Sequence, residues 1–371
     1  MAPRDRARRA SGVRRVLRSR RVVVLAVLGL VVLGLALLPP VQARGKAGAT
    51  MAEALGADLP RPFAASIERR TVELGGVGGH LYTPGERAPA VVVLAGATRE
   101  GKNDPRVVGL ARALARGDRV VYVPDLRLHR LEVDPGDIGR VVRSVAALRR
   151  LPAVDGDVVL LGFSFGGSYG LVASADPRIR DSVALVATFG SYYRTVGLVQ
   201  ALSTGVSLVG GRRVSWDPNP DTKIVLRKLA YRLVEPDERA RLAEVFHGRA
   251  RPAGLPRDVR AVYAFTTHDD PTRTRALAAR LDRRAHAMLA RFSPATIAGR
   301  LPAPLVAMHA RDDPVVPHAE LVRLDRALPE ATTLTVSSFE HVDFGADNLG
   351  QAARDLFTVW RFGTHIFDAQ E

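Results

Sequence analysis

Residues 160–170 read Leu-Leu-Gly-Phe-Ser-Phe-Gly-Gly-Ser-Tyr-Gly, LLGFSFGGSYG. Ser164 stands between Gly162 and Gly166, each two residues away. The run before it, Asp157–Leu161 (DVVLL), suits a strand buried on both faces. The run after it, Ser168–Ser174, suits a helix. A sharp strand-to-helix turn strains its central residue and pushes that side chain outward, and the residues two places away must be small. The opening helix also offers N–H groups and a positive dipole end to a developing oxyanion. A phosphate-cradling loop would need a lysine and further spaced glycines, which this stretch lacks.

Outward from the turn, strands and helices alternate. Arg70–Leu74 and Gly79–Thr83 read as two short strands joined by a glycine-rich run. That run is not a phosphate loop, because no Lys-Ser/Thr follows it and no helix opens after it. Ala90–Ala95, Arg119–Val123, Ser182–Thr188, Pro304–His309 and Thr332–Ser337 read as further strands. Helices are expected at Pro105–Arg116, Ile138–Leu151, 318–328 and 350–361. With Asp157–Leu161 this makes eight strands, the first two an antiparallel edge. Such alternation predicts an α/β fold with a mostly parallel sheet covered by helices on both faces. Between 191 and 300 the chain reads mostly helical, including Val225–Leu242 and Arg273–Arg291, with one short strand at Ala261–Thr266. This segment is expected to be a cap inserted over the sheet.

The net charge of +16 invites a nucleic-acid reading, but its location argues against one. Residues 1–21 carry nine arginines against the single acid Asp5, half of the whole excess. The remainder is spread thinly, with no stripe of basic and aromatic residues to follow a phosphate backbone, so no nucleic-acid partner is expected. The chain has no cysteine, which excludes disulfides and thiolate metal sites.

Val22–Leu38 is 17 residues without a polar side chain. As a helix it reaches roughly 26 Å, just short of a hydrocarbon core of about 30 Å. With the basic run 1–21 before it, it predicts a signal anchor with the N-terminus inside and the catalytic domain outside a bacterial cell membrane. The competing reading is a cleaved signal peptide with a site after Ala43, leaving a secreted or periplasmic protein. Residues 39–68 read as a linker with a short helix.

A serine hydroxyl needs a base, and the base an orienting acid. Asp312 and Asp313 follow the strand 304–309, and His341 follows the strand 332–337. Each sits after the carboxyl end of its strand, at the edge that carries Ser164 and where open α/β sheets bind ligands. His309, Asp312, Asp313, His341 and Asp343 could be imagined as a metal cluster, but no His-x-x-x-His pair lies on a helix and a triad accounts for the same residues. The remaining histidines are read as surface or cap residues.

Residues 70–361 resemble an α/β-hydrolase with a helical cap. The likeness rests on GFSFGG at 162–167, HARDDPVVP at 309–317, FEHVDF at 339–344 and Leu94-Ala95-Gly96-Ala97-Thr98 after the third strand. It implies a core of 69–190 and 301–371 around a cap of 191–300, and a triad of Ser164, Asp313 and His341. Asp313 is preferred to Asp312 because it lies three residues after Ala310, at the family's glycine position, and directly before Pro314. The resemblance also implies an oxyanion hole of the Ala97 and Phe165 backbone N–H groups, with no cofactor or metal. Two positions depart from the family pattern. Ala95-Gly96 replaces a His-Gly pair, and Leu128 in Asp125–His129 replaces a glycine.

The expected activity is cleavage of a carboxylic ester, esterase- or lipase-like, through an acyl-enzyme. An acyltransferase with the same triad, or a noncatalytic relative binding a hydrophobic ligand or a partner, are the alternatives. The pocket is expected to depend on the cap, with Phe189, Tyr192 and Tyr193 lining it or filling the cap core.

Overall fold

Valine-rich runs too apolar to face water on either side assemble into one sheet, and helices cover both of its faces. The computed structural model describes residues 39–55, 67–220, 222–301, 303–340, 343–344 and 349–370. The apolar run 22–38 and His341 lie outside the described residues. Among those described, no helix is long and apolar enough to cross a membrane.

The elements begin with α1 (Pro39–Ala54), β1 (Glu68–Leu74), β2 (Val77–Thr83), β3 (Ala88–Leu94), α2 (Pro105–Arg116) and β4 (Val120–Pro124). They continue with α3 (Gly136–Leu148), β5 (Val154–Phe163), α4 (Phe165–Ser174) and β6 (Val183–Phe189). The inserted segment holds α5 (Thr195–Thr204), β7 (Val206–Val209), β8 (Arg212–Ser215), α6 (Thr222–Leu233), α7 (Arg239–Phe246), α8 (Arg257–Thr267), α9 (Thr274–Ala278) and α10 (Arg283–Phe292). The core resumes with β9 (Leu305–Ala310), α11 (Ala319–Ala327), β10 (Thr332–Val336), the two-residue strands β11 (Phe339–Glu340) and β12 (Asp343–Phe344), and α12 (Leu349–Asp368).

Eight strands pair in the order β1-β2-β4-β3-β5-β6-β9-β10. Only the β1–β2 and β2–β4 pairings are antiparallel. The edge hairpin turns at Gly75-Gly76, with φ of 60° and 73°. A two-residue turn of this kind needs positive φ at both positions, which glycine adopts without steric cost. Val77 and Gly78 therefore already belong to β2 rather than to the connection.

Alternate strand residues feed two cores. Val92, Leu160 and Val186 face α3, α4 and the insertion. Val91, Val93, Val159, Leu161 and Val306 face α2, α12 and the end of α1. Part of the segment expected to be a linker is thus core, since Ala47 and Met51 of α1 are buried there.

The insertion is helical, as expected, with three corrections. Ala261–Thr266 is not a strand but part of α8. Its buried residues Val259, Val262 and Phe265 recur at helical spacing, which outweighs the strand preference of Val, Tyr and Phe. The helices expected at Val225–Leu242 and Arg273–Arg291 are each broken. Pro236 lacks the N–H to continue α6, and Asp282 starts α10 by accepting the Ala285 N–H at 2.7 Å. The hairpin β7–β8 was not expected. It turns at Gly210-Gly211, with φ of 56° and 81°, by the same device as Gly75-Gly76.

The insertion is tied to the core where it begins. The buried Glu320 of α11 accepts the N–H groups of Tyr193 at 3.0 Å and Arg194 at 2.7 Å and pairs with Arg323. Removing this carboxylate would strand two backbone donors and a cation. We expect Glu320→Ala to lose about 3 kcal/mol of stability, read as a lowered urea midpoint.

Candidate active site

The strand order reverses at β3. Chain from β3 passes through α2 to β4 on one side, while β5 lies on the other. Open α/β sheets bind ligands in the crevice at such a switch point, outside the carboxyl ends of the strands. Leu94 pairs with Gly162 across it, so the turn after β3 and the turn after β5 are neighbours.

Ser164 is the N-cap of α4, with φ 52° and ψ −129°. A non-glycine residue held here carries strain of roughly 1–3 kcal/mol, so its surroundings must impose it. They do so by close packing. Ser164 N donates to Phe189 O at 2.9 Å, and Ser191 Oγ donates to Ser164 O at 3.0 Å. A Cβ on Gly162 would collide with the Gly167 backbone, and one on Gly166 with the carbonyls of Leu94 and Ala95. Both glycines are thus required by backbone-to-backbone approach, as the sequence spacing suggested. Gly96 approaches from the other side, where an added Cβ would sit 3.0 Å from the Ser164 Cβ.

Phe165 is the first residue of α4, so its N–H has no acceptor within the helix. Thr98 N donates to Gly96 O at 2.9 Å, a tight turn that wraps Ala97. Ala97, Ser164 and Phe165 all line a cavity of about 590 Å³.

Asp313 and Asp312 have opposite environments. Asp312 is exposed, whereas Asp313 is 1% exposed. Asp313 Oδ1 accepts the N–H groups of Val315 at 2.8 Å and Val316 at 2.9 Å, which fold the acid turn around it. The insertion holds the same turn from outside. Trp216 Nε1 donates to Asp313 O, and Asn219 N to Pro314 O, both at 2.7 Å.

The reading of the other histidines as surface or cap residues is corrected for His309, which is 1% exposed, and for the buried His80 and His129 of the core. All six residues of β9 are buried, and His309 is one of them. Its Nε2 lies 2.9 Å from Val316 O and 3.3 Å from Asp313 Oδ2. A carbonyl can only accept, so Nε2 carries the proton and shares it between that carbonyl and the carboxylate. The sequence signal was present, a polar side chain inside an otherwise apolar strand and four residues before the acid, but periodicity alone gives it no partner. His318 packs edge-on to His309 with ring centroids 5.8 Å apart, and its Nε2 meets Thr335 Oγ1 at 3.0 Å. Among the described residues no group of His, Asp and Glu could hold a metal ion.

The pocket residues expected from the sequence divide. Phe189 lines the cavity. Tyr192 and Tyr193 are buried in the core, where Tyr192 Oη donates to Phe292 O at 2.9 Å.

A strained serine between strand and helix at the switch point, with an acid turn on the same edge, narrows the families that fit. A model of the alpha/beta hydrolase family matches residues 91–347, more than half of the chain. The chain belongs to the alpha/beta hydrolase family. No curated protein matches it in sequence. Among solved structures this hydrolase-family chain is similar to DcsB in complex with its substrate analogue, at 15% identity and a TM-score of 0.46, covering 81% of this chain and 99% of that one. It is also similar to the 2,6-dihydroxy-pseudo-oxynicotine hydrolase, at 15% identity and a TM-score of 0.47, covering 83% and 69%. A third similarity is to the dienelactone hydrolase of Anabaena variabilis, at 15% identity and a TM-score of 0.41, covering 81% and 98%.

Of the departures from the family pattern, the one at Leu128 is absorbed structurally. Asp137 accepts the N–H groups of Arg127 at 3.1 Å and Leu128 at 2.9 Å, which holds this loop, and Leu128 itself is buried.

Burial, with the neighbouring His309 adding to it, pulls the His318 imidazole from 6.5 down to about 4. The unfolded chain therefore binds the extra proton first as pH falls. The stabilisation by neutral His318 is complete above about 6.5 and is lost as pH drops through about 4. Thermal midpoints of this family member should fall over that window, and His318→Asn should flatten the fall.

Proposed function

We propose that the protein is a serine hydrolase that cleaves a carboxylic ester through an acyl-enzyme. The observation that carries this reading is the backbone of Ser164, held at φ 52° in the lining of a cavity with Gly96 packed against its side chain. Backbone strain at a serine between strand and helix has a use when that hydroxyl must project beyond the sheet edge.

In this reading His341 takes the proton from Ser164 Oγ, and Oγ bonds to the ester carbonyl carbon. The N–H groups of Ala97 and Phe165 stabilise the oxyanion. As the tetrahedral intermediate collapses, the bond to the alcohol oxygen breaks and His341 gives that oxygen its proton. Water then repeats the sequence at the acyl-enzyme and releases the carboxylic acid and free Ser164. Asp313 orients the base and remains ionised. The two backbone donors on its Oδ1 and the shared His309 proton on its Oδ2 support that role, because hydrogen bonds to a carboxylate favour its charged form. The apolar run 22–38 and its basic flank support attachment to a bacterial membrane, with this chemistry outside.

The test is labelling by a fluorophosphonate, which reacts with an activated serine. The full chain should label, and Ser164→Ala should not. Asp313→Asn should slow ester turnover by about 10⁴-fold, as loss of the orienting acid does in a comparable triad. A folded parent that does not label would sink the reading.

A further inference from the structure

The cavity at Ser164 does not lie mainly beneath the insertion. Its floor is a row of side chains at the carboxyl ends of the strands, Phe163, Phe189 and Met308, which are registered across β5, β6 and β9. All three belong to the sheet face that packs on α1, α2 and α12. The walls come from those helices: Val107 and Leu110 of α2, Val359, Phe362 and Ile366 of α12, and Met51 near the end of α1. The insertion adds only Asn219, Thr222, Ile224 and Val225 among the described residues.

Helices α1 and α12 meet closely enough to form a continuous wall. A Cβ on Gly363 would run into the Met51 side chain, and one on Gly48 would sit 3.2 Å from the Trp360 ring. The lining on this side is therefore apolar. The charged groups of the lining gather in the segment after β3, where Arg99, Glu100, Asp104 and Arg106 carry two charges of each sign. Two of them pair directly, with Arg106 Nη2 2.7 Å from Asp104 Oδ2.

We propose that this cavity binds the acyl chain of the substrate, an unbranched fatty-acyl group. The chain lies between the sheet and helices α1, α2 and α12, not under the insertion. The proposal rests on the reading of Ser164 as the residue that becomes acylated. An acyl-enzyme keeps its acyl chain on Ser164 while the alcohol leaves and water arrives. The departing alcohol belongs beside the charged residues 99–106, and the chain that stays belongs against the apolar side chains of the sheet and helices. An apolar cavity of about 150 Å³ holds a six-carbon ring, so one near 590 Å³ has room for a chain on the order of ten or more carbons. Among the described residues the lining has no excess of cations to hold a phosphate or sulfate head, so a neutral alcohol portion fits it better.

The test uses the full chain and p-nitrophenyl esters from acetate to palmitate. The kcat/KM should rise by roughly fourfold for each added methylene over the shorter acyl groups. It should level off once the cavity is filled. Leu110→Trp should lower the ratio of decanoate to butyrate turnover at least tenfold, with thermal midpoints measured alongside to confirm folding. An acyl-length profile that is flat in an active parent would overturn the proposal and leave the serine hydrolase reading in place. So would a ratio that falls in Ile224→Trp, on the insertion side, and not in Leu110→Trp. A rate that instead grows with the length of the alcohol, at fixed acyl group, would also overturn it.

A second measurement is independent of the chemistry. Calorimetric titration of Ser164→Ala with dodecanoate should show binding that Leu110→Trp weakens at least tenfold. Absence of binding to Ser164→Ala overturns the proposal. Binding by a chain whose parent hydrolyses no ester would support the cavity's ligand class and overturn only the catalytic reading.

Discussion

The backbone of Ser164 is the constraint on which the site depends. A serine at φ 52° is stable only if everything around it fits more tightly than a relaxed turn would allow. Gly162 and Gly166 let three stretches of backbone touch: the end of β5, the start of α4 and the turn after β3. The Ser164 N–H is in turn held by Phe189 O at the end of β6. The elbow is thus braced by the strands on both sides of β5, and these bring Ala97 and Phe165 to the cavity that holds the serine.

The acid turn is built on the same logic with different chemistry. Asp313 is buried by its own chain, which folds back so that Val315 and Val316 donate to it, and His309 closes the other oxygen. The insertion fastens this arrangement from outside through Trp216 and Asn219. It follows that the insertion does more than cover the sheet. It braces the acid turn, while Glu320 anchors the beginning of the insertion to the core. In this structure its contribution to the cavity is limited to four described residues of one loop and helix, and the N-terminal and C-terminal helices provide most of the apolar wall.

Much of the core was legible in the chain, and the reason is local. Strands buried on both faces must be continuous apolar runs, so β3 to β6 and β9 announce themselves, and α2 was placed with the bounds observed. Glycine spacing around Ser164 was legible because backbone contact leaves no alternative residue. The insertion was harder. Its helices are short, broken by Pro236 and Asp282, and one of them carries the Val, Tyr and Phe usual in strands. The β7–β8 hairpin went unread although Gly210-Gly211 repeats the signal of Gly75-Gly76, because its flanking strands are only four residues long.

The sequence by itself determined the fold class and the elbow, since each depends on residue types at short, fixed spacing. Only the tertiary structure decided where the cavity lies and what surrounds the acid. His309, Trp216, Met51 and Phe362 are far apart in the chain or silent in its periodicity. They reach the site because parallel strands end on one edge and because α1 and α12, from opposite ends of the described chain, pack side by side through Gly48 and Gly363. Contacts of that kind join residues that are distant in sequence, and no local pattern encodes them.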